Sequence, residues 1–211
     1  MTTEEAVQAA LAGRMLLSHP FYRRWEAGEL EPTELASYGA QYLHFEQQLP
    51  QTLAALIEAT APGPARDALQ ANLDDELGDP VSHVALFETF LEAVEGSHAT
   101  PTSATRSLVD LYAGAIDRGS AYATGVMAAY EVQAAAISRS KGDGLRQWYG
   151  LDEVGTAFWD KHATLEIEHA SWLLGAATAL DEKPFLAGVA ASRDAWWGFL
   201  DDRERRQPSM A

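Results

Sequence analysis

The sequence predicts an all-α protein, a bundle of seven to nine helices. Three observations carry that expectation. Alanine, leucine and glutamate dominate a chain in which 47% of residues are apolar, and these types favour helix. Apolar positions recur at helical spacing, and β-branched runs are absent. Glycine and proline gather at a few places, "APGP" at 61–64 above all, and cut the chain into helix-length pieces.

Each piece has its own start and stop. Thr2 or Thr3 caps a first helix running to about Ser18, with Glu4 and Glu5 in its first turn. "HPFYRRWEAG" reads as a short helix stopped at Gly28. A long helix capped at Thr33 follows, and Pro50 should kink or divide it. After "APGP" a helix reaches Leu77, Gly78 and Pro80 interrupt it, and another continues to Val94. "EGSHATPTSAT" is the longest polar connection. A helix from Ser103 to Arg118 comes next, then one from Ser120 to about Ser140, which "KGDG" ends or loosens. Residues 152–180 make a further helix, and Pro184 starts the last, which carries "AWWGFL" as core or as a partner surface.

Composition removes several function classes. A chain of 211 residues suits one domain, 1–211, with residues 203–211 as a frayed tail. There is no cysteine, so thiolate metal sites, disulfides and cysteine nucleophiles are excluded. A formal charge of −16 disfavours nucleic acid and anionic lipid surfaces as partners. No apolar run has the length of a membrane span, and "MTTEEAVQAA" lacks a signal pattern, so a cytoplasmic location is expected.

The chemistry lies in "HATLEIEH", residues 162–169. At about 100° per residue, His162, Glu166 and His169 fall at roughly 0°, 40° and 340°, one narrow stripe. Glu168, at about 240°, points elsewhere. Two further stretches can supply partners. In "DDELGDPVSH" Glu76 precedes His83 by seven residues, a same-face spacing only if Gly78 and Pro80 leave the helix unbroken. Otherwise the two converge only when something holds them. In "AAYEVQAAA" Glu131 is a lone carboxylate among apolar residues, costly to bury unless paired or bound to a cation. Glu76, Glu131 and Glu166 return three negative charges against the four positive ones of two divalent ions. Mixed imidazole and carboxylate ligation with open positions suits iron or manganese rather than a closed zinc site. Each residue also has a plainer reading. The stripe can be a surface i,i+4 arrangement, Glu76 a solvated acidic face, His83 a satisfied histidine, and Glu131 an ion-pair partner of Arg118 or Arg139.

The ordered set of Glu-x6-His, then Glu, then His-x3-Glu-x2-His resembles the haem-oxygenase-like di-iron oxidases over roughly residues 15–200. "HPFYRRWEAGELEPTELASYGAQYLHFEQQLP", "NLDDELGDPVSHVALF" and "YEVQAAAISRSKGDGLRQWYG" resemble segments of that superfamily. Within it the chain is most similar to the self-sacrificing p-aminobenzoate synthases of the chlamydial death-domain-associating type. That resemblance implies a TenA-like and pyrroloquinoline-quinone-synthase-like fold, two iron ions (or manganese, or a mixed pair), dioxygen as co-substrate and an external reductant. It implies Glu76, His83, Glu131, His162, Glu166 and His169 as metal ligands, with Glu166 where relatives carry aspartate. It further implies Tyr22 as the source of the aromatic ring, Lys141 as the amino donor, and Tyr38 and Tyr130 as relay or alternative donor tyrosines. The product would feed folate biosynthesis. The relatives' "ESQ" followed by proline is "EVQAA" here, which predicts a straighter helix after Glu131. On an ideal helix Lys141 lies about 280° round and about 15 Å along from Glu131, so it lines a cavity rather than touching metal. Read by themselves, Tyr22 is a core aromatic and Lys141 a helix-terminal cation.

Rival readings differ in class. The same metal pair can oxidise a free amino acid, amine or fatty acid. A cofactorless oxidase of the pyrroloquinoline-quinone synthase type would give the three carboxylates and three histidines no purpose. Haem ligation would call on His19 or His44. A non-catalytic helical interaction protein, and a homodimer in any of these cases, complete the set.

Overall fold

The computed structural model describes residues 2–78 and 80–206; the side chains of Glu166 and Ile167 lie outside the description. The described residues form nine α-helices and two 3-10 turns: α1 (Thr3–Leu11), α2 (Pro20–Ala27), α3 (Pro32–Ala59), α4 (Pro64–Leu77), α5 (His83–Ala93), α6 (Ser103–Ala113), α7 (Ser120–Tyr149), α8 (Glu153–Ala177) and α9 (Glu182–Glu204), with the turns at Leu16–Ser18 and Ala115–Arg118. One hydrophobic cluster takes residues from all nine, among them Val7, Phe21, Leu53, Leu69, Phe87, Leu108, Ile137, Trp159 and Phe199. α7 is the central helix, packed against both α8 and α9. Backbones meet there at glycine. A Cβ on Gly188 would lie 2.1 Å from the Tyr122 carbonyl oxygen, and one on Gly125 would lie 2.0 Å from that of Phe185. Only glycine permits this approach.

Several boundaries differ from the sequence reading, each for a local reason. The first helix stops at Leu11 rather than Ser18, with Gly13 turning at φ +81. The long helix is capped at Glu31, not Thr33, because Pro32 fits the first helical position and Glu31 and Glu34 form a reciprocal capping box. It runs unbroken through Pro50. α6 ends at Ala113, and the residues up to Arg118 tighten into a 3-10 turn. α9 begins at Glu182, so Pro184 sits within its first turn rather than at its start.

The largest correction concerns "KGDG". α7 does not loosen near Ser140 but continues to Tyr149. Lys141, Gly142 and Gly144 are buried in it. The glycines serve packing: a Cβ on Gly144 would come within 2.9 Å of the Trp25 ring, and one on Gly142 within 3.3 Å of Asp160. Each costs about 1 kcal/mol of helix propensity, which tertiary contact offsets. Nor is the chain frayed from residue 203. Arg203 is buried, donates to the Ser37 hydroxyl at 3.2 Å and pairs with Asp202; residues 207–211 lie outside the described residues. Trp196, Phe199 and Leu200 of "AWWGFL" are core. No helix among the described residues is long and apolar enough to cross a membrane.

Candidate metal centre

Three helices bring the first ligands together. α4 ends on Gly78, whose φ is +63 and whose hypothetical Cβ would lie 2.1 Å from the Val81 carbonyl oxygen. This tight turn lets α5 start at once, with Ser82 capping it and His83 at its first position. The helix is therefore broken between Glu76 and His83, yet the two still meet, Oε2 to Nδ1 at 3.0 Å. α8 adds His162, whose ring centroid is 4.4 Å from that of His83. One ligand atom from each of Glu76, His83 and His162 lies within 4.8 Å of the other two, and all three residues are buried.

The chemistry of these donors fits a cation. Neither nitrogen of His83 has a hydrogen-bond partner, nor does Glu76 Oε2, despite their proximity. The Glu76–His83 contact is thus a close approach without the alignment of a hydrogen bond. Orphaned buried polar atoms of this kind cost about 1–3 kcal/mol each, and a shared metal ion removes the cost. Burial, followed by the charge of His83, lowers the His162 pKa to about 3, so its imidazole is neutral and able to ligate. Burial pushes the Glu76 carboxyl up, but contact with His83 and the charges of the three histidines outweigh it, and the net direction is down. Glu76 is therefore carboxylate.

The histidines are oriented from behind, as metal-binding imidazoles generally are. His162 Nδ1 lies 2.7 Å from the Phe158 carbonyl oxygen, so Nδ1 carries the proton and Nε2 the lone pair. His169, fully buried on the next turns of α8, has Nε2 3.2 Å from Asp75 Oδ2, which leaves its Nδ1 lone pair facing away from Asp75. Asp75 was not singled out from the sequence; its position beside Glu76 in "DDE" looks like one more solvated acid. His169 and Glu131 stand outside the compact group of three. Glu131 is buried on α7, and its charge acts on Glu46 and Tyr112. Arg118 and Arg139 do not neutralise it: the first bonds the Tyr122 hydroxyl at 2.6 Å and the second reaches the Ala163 carbonyl. The Glu166 side chain lies outside the described residues. Haem ligation is not supported at either proposed histidine. His19 caps α2 through Nδ1 and meets Asp201 through Nε2, and His44 is bound to the Ala99 carbonyl.

A second cluster adjoins the centre. Lys141 is 2% exposed, and its Nζ lies 3.1 Å from the centroid of the Tyr22 ring. Trp25, Tyr38 and Trp159 surround the same nitrogen at 5.1–5.4 Å. No carboxylate among the described residues pairs with it. Burial holds its pKa well below the ordinary lysine value, a shift only partly opposed by Glu26, so the amine is much more readily neutral than an exposed lysine. The Tyr22 and Tyr38 hydroxyls are 2.9 Å apart. Tyr38 leads to Tyr42, their ring centroids 5.4 Å apart, and the Tyr42 hydroxyl bonds that of Tyr130. Burial raises the pKa of Tyr22, Tyr38 and Tyr42, so all three are neutral phenols. Tyr42 was missed in the sequence; its spacing of four from Tyr38 is the signal that places both on one face of α3.

The model of one family, described as iron-containing redox enzymes, matches residues 36–197. The chain is 30% identical over 221 aligned residues to a 4-aminobenzoate synthase of Nitrosomonas europaea, covering 95% of this chain and 90% of that protein. Two solved structures share the fold. A CADD-like protein of unknown function from Nostoc punctiforme superposes with a TM-score of 0.78 at 21% identity, over 96% of each chain. A domain with a haem-oxygenase-like fold from Shewanella denitrificans gives 0.75 at 13% identity, over 96% of this chain and 89% of that one. With a neutral histidine and carboxylate cluster at the meeting of α4, α5 and α8, and a family match spanning most of the chain, this protein belongs to the iron-containing redox enzymes and is an oxidoreductase on a haem-oxygenase-like helical fold.

Proposed function

We propose that this enzyme is a p-aminobenzoate synthase that consumes itself, with Tyr22 as the source of the ring and Lys141 as the source of the amino group. The observation that carries the reading is the seat of Lys141 Nζ, 3.1 Å above the Tyr22 ring in a buried aromatic cage. A lysine kept there solely for stability would be a costly choice, because burial without an ion-pair partner penalises the charged form. As a neutral amine it presents a lone pair to the ring. The Nitrosomonas relative, named a 4-aminobenzoate synthase, supports the same product.

Glu76, His83, Glu131, His162, Glu166 and His169 are the residues that would hold two iron ions. When bound, such a pair supplies the activation of dioxygen, with electrons from an external reductant. The chain's own residues do the rest. Trp25, Tyr38 and Trp159 keep water from the amine and hold it over the ring. Tyr38 accepts or returns the phenol proton of Tyr22 across their 2.9 Å contact. Phe158 and Asp75 fix which nitrogens of His162 and His169 face the ions.

The test is anaerobic loading with ferrous iron, exposure to oxygen with a reductant, and mass spectrometry of both small molecules and protein. One p-aminobenzoate per chain, at most, and a covalent loss at residue 22 are expected. Tyr22→Phe should abolish the product while retaining the metal; product from that variant removes Tyr22 as donor. A second reading, oxidation of a free small molecule, draws on a cavity of about 560 Å³ that reaches Glu131 between α1, α7 and α8. Many turnovers with every tyrosine intact would favour it.

A further inference from the structure

Tyr22 is 1% exposed and Lys141 2%, so a ring cut from Tyr22 has no direct path to water. A cavity of about 150 Å³ lies close by, lined by Phe21, Thr33, Glu34, Ser37, Arg203 and Arg206. Phe21 adjoins both places. Its ring stacks on that of Tyr38 with centroids 5.5 Å apart, and its centroid is 6.1 Å from that of Tyr22. The larger cavity at Glu131 is different: among the described residues, none of Phe21, Tyr22, Tyr38 or Lys141 lines it. The small cavity also carries a charge pattern. Arg203 and Arg206 share one carboxylate, that of Asp202, so two guanidiniums meet a single countercharge. Glu34, the acid in the wall, is held by Arg24 at 2.8 Å (Arg24 also meets Glu204) and accepts from the Glu31 N–H at 2.9 Å. Arg203 is 4% exposed. Its two terminal nitrogens reach Ser37, Thr102 and Asp202, while its Nε donor has no partner. A buried guanidinium with an unused donor can take one more acceptor, and an anionic one best.

We propose that this cavity is a product site: it receives p-aminobenzoate released from Tyr22, with the carboxylate on Arg203 and Arg206 and the ring against Phe21. This rests on the self-consuming reading above. The chemistry of the wall selects the ligand. A carboxylate is the acceptor whose geometry the planar guanidinium matches. An aromatic body needs an apolar face to lie on, which Phe21 supplies. An aliphatic acid would gain the charge contact without the ring contact, and a neutral aromatic amine the reverse. The wall is built from α2, α3, the end of α9 and the residues just after it, and not from α4, α5 or α8. Product taking this route therefore leaves the candidate metal centre closed.

Titration calorimetry of p-aminobenzoate into the full chain as purified tests the proposal. One molecule per chain should bind. p-Aminobenzamide keeps the ring and amine but has no charge, and acetate keeps the charge but has no ring; each should bind roughly tenfold more weakly or worse. Arg206→Gln should weaken p-aminobenzoate by a similar factor with the melting temperature unchanged, because this side chain is 54% exposed. Arg206→Lys should recover part of the loss. The comparison of ligands needs no variant, so it stands even if the substitution disturbs the fold. Binding of the amide as tightly as the acid would overturn the proposal. So would an affinity in Arg206→Gln within about threefold of wild type, or no binding up to about 5 mM p-aminobenzoate. Binding as expected in a chain that forms no p-aminobenzoate on exposure to ferrous iron and oxygen would instead sink the self-consuming reading, and the product role of the cavity with it.

Discussion

Lys141 shows how far a residue can sit from its own reading in sequence. Its place before "GDG" suggests a helix-terminal cation, yet α7 carries it into the core beneath Tyr22. The consequence is measurable through pH. The folded-state pKa lies well below the ordinary 10.5 of an unfolded chain. Between those two values the unfolded state binds more protons, so stability rises with pH there, and the full penalty applies below the folded value. Lys141→Met should therefore be more stable than wild type at neutral pH, by roughly 1–3 kcal/mol. The difference should vanish as the pH passes 10.5. Urea denaturation at pH 7 and near pH 10.5 checks both points; a constant difference across that range contradicts the buried-amine description. Asp75 was equally illegible, for a different reason. An acid on a helix looks the same in sequence whether it faces water or ions, and only neighbours distant along the chain decide.

At the scale of the element, the break between α4 and α5 is what makes the centre. Sequence spacing allowed Glu76 and His83 to share a face only on an unbroken helix. In the structure the helix is broken, and the turn at Gly78 brings the two to 3.0 Å nonetheless. Gly78 combines a left-handed φ with a contact that no Cβ can occupy. Gly78→Ala should shift the turn and weaken ferrous binding at least tenfold, about 1.4 kcal/mol, with little change in the helical circular dichroism. Unchanged affinity would mean that the turn does not position Glu76. The stripe on α8 was legible because angle alone sets it: His162 and His169 are both buried, as the helical count requires. The unbroken α7 was not, because glycine opposes helix locally, and the packing of Trp25 against Gly144 comes from a remote segment.

For the whole molecule, a net charge of −16 surrounds an interior that gathers buried carboxylates and histidines. Such a field raises the local concentration of cations and speeds their arrival. Uptake of divalent metal by the apo protein should slow as ionic strength rises from about 20 to 300 mM, over which the screening length falls from roughly 20 Å to under 10 Å. Stopped-flow mixing with ferrous iron under anaerobic conditions measures this; a rate independent of salt would assign entry to a conformational opening instead.

The sequence by itself determined the helical class, the absence of cysteine, and the shared buried face of His162 and His169 on α8, because composition and the helical repeat act locally and need no knowledge of distant neighbours. Tertiary structure alone decided that Glu76 and His83 meet across a turn, that Lys141 rests on Tyr22, and that Asp75 backs His169. These depend on which helices pack together, and the burial that makes each group reactive is a property of the assembled interior rather than of any stretch of chain.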